Sequence, residues 1–593
     1  MYYKAPLLLL FMCSLGFSQL SVRNNAYVYV SDEIVFVEDD INLNEAASTI
    51  YLRDEGQVIQ GTGTTGNSGV GELSVYQDGN VGAYEYNYWC SPVGSKTSNN
   101  TNNPFGVTFL NDIVDVTNSN PASVVHLPGY NGTANPLQIE LYWIWKFVAS
   151  DEYSDWVHVT DGTSINPGEG FTMKGTAGTS TNNSGDNQNY DFRGKPNTGD
   201  IAVSVLANQF TLVGNPYPSA MDAFEYIHDA NNQATITGTL YYWEQNPAVN
   251  SHNINQYDGG YASYTIDATG TVETYTPATF RTYDGEGNIN GTSGTAPTGK
   301  TPRRYIPVGQ GFMVEGTATG DVIAKNSHRV FEKESSSDSE FFKTTSGKDA
   351  KTSQDEYHTI PEDFKRFRLN IDFNDNYTRQ IVETMHPTAT FGFDYGLESA
   401  INQSDILNSD AYWFPEAKPF LAEALPYDET MRIPLVIKVQ NNMPIRVRIS
   451  DIQHFNESQP IYLHDKTNNT YYNLRTQSFE TNLEKGTYND RFEITFINNN
   501  TLALDVDVIF NDFKIFQNNI TAELKLVNPN NLTIKSLTVY DVTGKQIIIN
   551  NLNSNNSEVS QSTKHLSDGV YIAQVETENQ QNITKKIIVK QNN

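Results

Sequence analysis

The residues that could do chemistry are few and scattered. Gly61-Thr62-Gly63-Thr64-Thr65-Gly66 has the G-x-G-x-x-G spacing. That spacing cradles a pyrophosphate only between a strand and a helix, whose N-terminal amides hold the charge. Here Gly, Thr and Ser surround it and no helical period follows, so it reads as a β-turn. There is no H-E-x-x-H and no G-x-S-x-G, and none of the ten histidines forms an i, i+4 pair. A carboxylate pair for glycoside hydrolysis is set by the fold rather than by spacing. No pair stands out among 69 acidic residues, so no catalytic residue is assigned and the chain reads as a non-enzyme.

Two further chemistries are open. Asp372 and Asp375 lie in Asn370-Ile371-Asp372-Phe373-Asn374-Asp375-Asn376, and Asp505 and Asp507 lie near Asn511-Asp512. Clustered oxygens of this kind suit calcium, and they equally make solvated Asx-turns. No other cofactor is implied. Tyr86-Asn87-Tyr88-Trp89, Tyr241-Tyr242-Trp243 and the Trp143/Trp145 pair offer flat rings that could stack on sugars. Their strand-like context reads first as core packing. Cys90, beside Trp89, reads as a buried packing thiol, because a reactive one needs a nearby base.

These side chains must be positioned by strands. Ala26–Val37 (AYVYVSDEIVFV) is β-branched and aromatic around a polar turn. In Ile139–Val148, the residues Ile139, Leu141, Trp143, Trp145 and Phe147 share one face at period two. Pro434–Ser450 reads as two alternating strands around an Asn-Asn turn. Helix evidence is thin: Ser219-Ala220-Met221-Asp222 reads as a capping start for two turns over Met221–Ile227, and Glu416–Leu425 is ambiguous between a helix and a strand. The expected fold is therefore all-β, with several sandwich-like domains in tandem. Asn166–Thr176 (NPGEGFTMKGT) echoes Pro307–Thr317 (PVGQGFMVEGT). The interval is far longer than a solenoid repeat, so the pair suggests two similar β units.

Composition narrows the partners. A formal net charge of −30 repels phosphate backbones and excludes general nucleic-acid binding. Aromatics at 12% argue against disorder, and a mean hydropathy of −0.49 excludes a multi-span helical membrane protein. Lys4 followed by apolar Ala5–Phe17 reads as an export signal, with Gly16-Phe17-Ser18 placing cleavage between Ser18 and Gln19. No later stretch is apolar enough to span a bilayer, so the mature chain carries no transmembrane segment. Loss of Cys13 with the signal leaves one thiol and no intramolecular disulfide.

At roughly 150 residues per domain the length suggests about four domains. The expected boundaries are a signal peptide at 1–18, an N-terminal β region at 19–335, a flexible linker or loop at 336–363, a β-sandwich at 364–503 and a small C-terminal β-sandwich at 504–593. The polar stretch from Lys333 to Asp363 motivates the linker.

Tyr86–Gly94, Phe210–Asp222, Val308–Gly316 and Asn326–Lys333 resemble, in order, segments of large secreted proteins of the Bacteroidetes. Pro387–Gly396, Ile461–Leu474 and Gly486–Phe496 resemble the β domain that precedes a sorting tail in those proteins. Leu537–Ile547 (LTVYDVTGKQI), His565–Val575 (HLSDGVYIAQV) and Thr584–Lys590 (TKKIIVK) resemble a type IX secretion C-terminal sorting domain of type A. The resemblance gives that role to Tyr540, Asp541, Gly544, Lys545, Leu566, Gly569, Val570, Tyr571, Lys585, Lys586 and Lys590. Read from the residues alone, the lysines equally blunt an edge strand. The resemblance implies a translocon and a sortase-like peptidase as partners, with anionic lipopolysaccharide as an attachment point. It also implies passage through the periplasm to the outer-membrane surface or the medium. The expected function is an exported, non-catalytic adhesion or binding protein. The alternative is a secreted carbohydrate-binding or carbohydrate-active protein, with a glycan or surface ligand.

Overall fold

The computed structural model describes residues 19–79, 81–177, 188–293, 299–341, 358–401, 406–415, 418–498, 513–529, 531–578 and 582–591. The chain is all-β. Among the described residues the α-helical segments are Ala223–Ile227 and Ala230–Gln233. The first is capped by Asp222, whose carboxylate accepts from the Phe224 amide at 2.9 Å. The chain forms two compact units, Met1–Ile497 and Asn498–Asn593.

The first unit begins with a short solenoid. Strands β1 (Leu20–Val22), β2 (Tyr27–Ser31) and β3 (Ile34–Val37) are followed by β4 (Ile41–Leu43), β5 (Thr49–Arg53) and β6 (Gln57–Gln60), then β7 (Ser68–Gly69) and β8 (Glu72–Gly79). They pair in parallel as β1-β4-β7, β2-β5-β8 and β3-β6. Leu20 lies opposite Ile41, Tyr27 opposite Thr49 and Ile34 opposite Gln57, offsets of 21, 22 and 23 residues. The run Ala26–Val37 is therefore two successive sides of one coil. Asp32, with φ 60°, turns the corner between them, a conformation that Asp tolerates better than most residues. Val22, Val30, Val37, Ile41, Ile50, Leu52 and Leu73 fill the interior.

The G-x-G-x-x-G segment closes the second coil on the chain's own carboxylate. Asp40 Oδ2 accepts from the amides of Thr64 (3.2 Å) and Thr65 (2.7 Å) and from both hydroxyls. Partial burial raises the Asp40 carboxyl, but the bonds from Thr65 and Thr64 outweigh it and hold it below its ordinary value. The loop thus binds an internal anion.

Downstream, the two echoing segments take the same local form. Gly168 (φ 84°) and Gly309 (φ 81°) turn the chain into strands Gly170–Lys174 and Gly311–Gly316. Phe171 and Phe312 are each fully buried, in two separate cores.

Of the segment 336–363, residues 342–357 lie outside the described residues. The flanks are packed. Ser339 donates to the Tyr305 carbonyl at 2.8 Å, Phe341 is buried with its ring 5.0 Å from that of Trp89, and Ile360 and Phe364 are buried with Val272.

Residues 365–495 form one large sheet that curls into a near-barrel around a single core. The two strands read around Asn441-Asn442 do form, as Arg432–Val439 and Met443–Gln453. They do not pair with each other: the first pairs with Asp410–Trp413 and Gly486–Thr495, the second with Lys365–Phe373 and Phe479–Leu483. The turn carries the chain across the core, and each strand is flanked on both sides by other strands.

Glu383 is fully buried, in register with Phe367 on one neighbouring strand and with Glu423 on the other. Burial first, and then the Glu423 carboxyl, push Glu383 far above the ordinary range; burial lifts Glu423 to about 8. The folded chain thus keeps protons that the unfolded chain releases above about 4.5. This pair therefore stabilises the fold in mild acid, and its contribution falls as pH rises from about 4.5 toward 8. The slope is at most ~1.4 kcal/mol per pH unit for each retained proton. Glu383→Gln, whose amide can donate to Glu423, should flatten the fall in urea midpoint between mildly acidic and mildly alkaline buffers. An unchanged slope would show that the pair does not titrate in this way.

The second unit is a two-sheet sandwich. Lys514–Asn518, Glu523–Val527 and Glu558–Ser562 face Gln546–Ser554, Ile534–Asp541, Gly569–Thr577 and Asn582–Val589. Leu524, Leu526, Leu537, Val539, Ala573 and Val575 are fully buried between them.

Candidate functional site

The strongest candidate site is a cavity of about 910 Å³ in the first unit, within the roughly 300–1,000 Å³ of ordinary ligand pockets. It opens between two sheets that pack together through Tyr88, Phe147, Leu212, Tyr241 and Met313. One sheet contributes Tyr86 and Tyr88 from β9 (Tyr86–Cys90), with Trp145 and Thr172. Period two sends Tyr88 to the cavity side while Trp89 enters the core behind it. The other sheet contributes Tyr241 and Trp243 from Ile236–Gln245, whose alternate residues Leu240 and Tyr242 fill the opposite core.

The rings are fixed relative to one another. Tyr88 and Trp243 are parallel within 6° at 6.2 Å, Trp156 crosses Phe147 at 4.9 Å, and Tyr261 meets Trp243 edge-on at 5.1 Å. The Tyr88 and Tyr261 hydroxyls share a hydrogen bond of 2.7 Å across the two sheets. Burial raises the Tyr88 phenol well above its usual value, so it stays protonated. Trp243 lies flat because Gly259 leaves it room: a Cβ there would stand 2.6 Å from the ring.

Two loops close the rim. Tyr153 packs on Gly287 (φ +87°), where a Cβ would come within 2.3 Å of its ring. The exposed Asp151, Glu152 and Glu286 belong to these loops and line the mouth, with Asn288 and Asn408.

Lys174 is buried outside this lining. Its amine donates to Tyr257 Oη (2.7 Å), approaches His252 Nδ1 (3.1 Å), and lies 3.7 Å from the Trp143 ring centre and 4.7 Å from that of Tyr86. Burial pushes the amine well below its ordinary range; burial and then Lys174 lower His252 to about 4.

The structure redistributes the aromatic residues expected in cores. Ile139–Val148 is not one strand: Leu137–Glu140 is followed by a 3₁₀ turn, Leu141–Trp143, and a short strand at Trp145–Lys146. Glu140 causes the break by accepting from the Tyr142 amide at 3.0 Å, alongside the Leu127 amide and His126. Trp145 therefore lines the cavity while Trp143 stacks on His252. Trp156, Tyr257, Tyr261 and Tyr283 also line it. The spacing of Tyr257 and Tyr261 around Gly259-Gly260 was the available signal for two of them.

Cys90 is fully buried, and burial pushes its thiol up. Asp372 accepts from Thr378, Arg446 and Arg448, and Asp375 pairs with Arg446 at 2.7 Å. Guanidinium groups therefore hold the oxygens that calcium would need. Asp505, Asp507 and Ser18 lie outside the described residues, and Gln19 is the first residue within them.

The tail residues converge at one end of the four-stranded sheet. Asp541 accepts from the amides of Thr543 (2.8 Å) and Lys545 (3.1 Å) and caps the turn at Gly544 (φ +83°). Asp541 pairs in register with Tyr571 and Tyr540 with Ile572, beside Gly569 and Val570. Leu566 is buried in the core below. Lys585, Lys586 and Lys590 are exposed, the first two on the strand that ends that sheet.

The fold and cavity define an all-β protein with an aromatic recess between two sheets. The chain belongs to the family described as a domain of unknown function, DUF8693, whose match spans residues 116–496. Residues 503–589 match a second domain of unknown function, DUF8694. No curated protein matches. Solved structures with some likeness include dimeric latent PorU from Porphyromonas gingivalis (12% identity, TM-score 0.12), of which the match covers 31% of the length and 40% of this chain. Others are the BSP domain of a biofilm-associated protein (9%, TM-score 0.11, 87% of that chain and 76% of this one) and an extracellular domain of B. thetaiotaomicron BT4673 (11%, TM-score 0.12, 60% and 65%). At such scores these likenesses carry no argument.

Gly259→Val tests the geometry. The added carbons should drive Trp243 off the strand, shift tryptophan emission and cost about 1–3 kcal/mol, as overpacking does. Unchanged emission would mean that Trp243 does not lie as described.

Proposed function

We propose that the chain is a non-catalytic protein of the cell exterior that binds carbohydrate in the aromatic cavity. One observation carries this reading. Rings from two sheets and two loops converge on one recess large enough for a ligand, with hydroxyl and amide side chains at its edge. Pyranose rings present flat C–H faces that pack on aromatic faces, while their hydroxyls need polar partners at the edge. The second unit serves delivery. Its sorting-domain resemblance and the N-terminal signal point to export through the periplasm and across the outer membrane. A translocon and a sortase-like peptidase would act on the tail, with attachment to anionic lipopolysaccharide as one end point. Its turn and lysines are exposed, as a docking module requires.

Titration of neutral oligosaccharides into the mature chain should report binding by tryptophan fluorescence. Trp243→Ala should weaken it about tenfold or more, the equivalent of losing ~1.4 kcal/mol. Equal affinity in the variant, or silence across a glycan array, would remove the cavity reading. Deleting 504–593 should strand the protein in the periplasm of its host, and normal surface arrival would remove the sorting role.

A further inference from the structure

Resting on the reading of the cavity as a glycan site, we propose that it prefers glycans bearing free amino groups and disfavours acidic ones. The argument starts from the two loops at the mouth. Residues 151–155 read Asp-Glu-Tyr-Ser-Asp and residues 284–288 read Asp-Gly-Glu-Gly-Asn. Five of these ten residues are acidic, against about one in nine across the chain. The contact of Tyr153 with Gly287 brings the loops together, so carboxylates from both gather on one side of the opening.

Asp151, Glu152 and Glu286 line the cavity itself and are exposed, as are Asp155 and Glu286's neighbour Gly285 beyond it. Asp284 is committed elsewhere, accepting from Asn288 and from the Glu286 amide. Arg281 is the only basic residue in the lining among the described residues, and it is buried in its strand at 8% exposure. A ligand entering the recess therefore passes fixed negative charge before it reaches the rings.

An amino sugar satisfies both features. Its C–H face packs on rings such as Trp243 and Tyr261, and an ammonium directed outward meets the rim carboxylates. Ammonium groups are also attracted to aromatic faces. A uronate would set like charge against the same carboxylates. Each exposed ion contact is weak, so three of them suggest a preference of about tenfold rather than an absolute filter.

The test uses the mature full-length chain and four tetrasaccharides: tetra-glucosamine, its fully N-acetylated form, cellotetraose and tetragalacturonate. Each is titrated in mildly acidic buffer, where the amines are charged, at low and at high salt. Tetra-glucosamine should bind about tenfold more tightly than the two neutral sugars at low salt, with tetragalacturonate weakest. High salt should erase most of that ratio, because exposed charges are screened. The triple variant Asp151→Asn, Glu152→Gln, Glu286→Gln should bring the ratio of cationic to neutral affinity to about one. Equal or tighter binding of tetragalacturonate overturns the inference, and so does a ratio that survives the triple variant. If the neutral sugars bind as well as tetra-glucosamine and Trp243→Ala abolishes binding, the charge preference falls while the glycan site stands. If all four are silent, both fall.

Discussion

Strand Tyr86–Cys90 is buried on both faces, and the arrangement of the first unit depends on that constraint. Trp89 is fully enclosed in one core, while Tyr88 faces the second sheet and bonds to Tyr261. Ile236–Gln245 is built in the same way, with Tyr242 in its own core and Trp243 in the recess. A strand with two buried faces is rich in apolar and aromatic residues, although Asn87 and Glu244 are buried in these two as well. The recess exists because large rings from two such strands meet without filling the space between them. Close packing elsewhere depends on smooth interdigitation of side chains. Here, Tyr88 and Trp243 lie parallel at 6.2 Å across the two sheets, and Gly259 lets Trp243 lie flat rather than plug the gap.

The same constraint explains what was legible in the sequence. Period-two alternation located strands, the helix expected over Met221–Ile227 forms over Ala223–Ile227 behind Asp222, and the tail's hairpin of Gly569–Thr577 with Asn582–Val589 followed from its alternation and polar turn. Alternation says that a face is buried, not what buries it. Tyr88 and Trp89 therefore looked alike, although one packs in a core and the other lines a cavity. The solenoid was illegible for a different reason. Its partners lie 21 to 26 residues apart, and its strands are only two to eight residues long. Coils that share a shape but not a motif leave no repeat to see. The 3₁₀ break in Ile139–Val148 depended on the Glu140 side chain turning onto its own backbone, a local competition that a hydrophobic pattern does not register.

Charge placement completes the picture. The chain holds 39 basic and 69 acidic residues, yet several of the cations are interior. Arg53 spends its hydrogen bonds on the carbonyls of Val116, Leu52 and Ser74 and on the Ser74 hydroxyl. Arg366 binds the Glu273 carbonyl and the Thr274 and Thr384 hydroxyls, and Lys174 sits among aromatic rings. Through Glu273 and Thr274, Arg366 joins two strands that no backbone ladder connects. Burial takes acidic side chains from the surface as well, Asp191, Glu383 and Asp410 among them. The chain as a whole is strongly anionic, so the five acidic residues on two touching loops sit within a field of the same sign. A low-dielectric wall of aromatic rings behind them focuses that field into the opening. The stacked rings that make the interior cohere thereby shape which charges can approach the mouth.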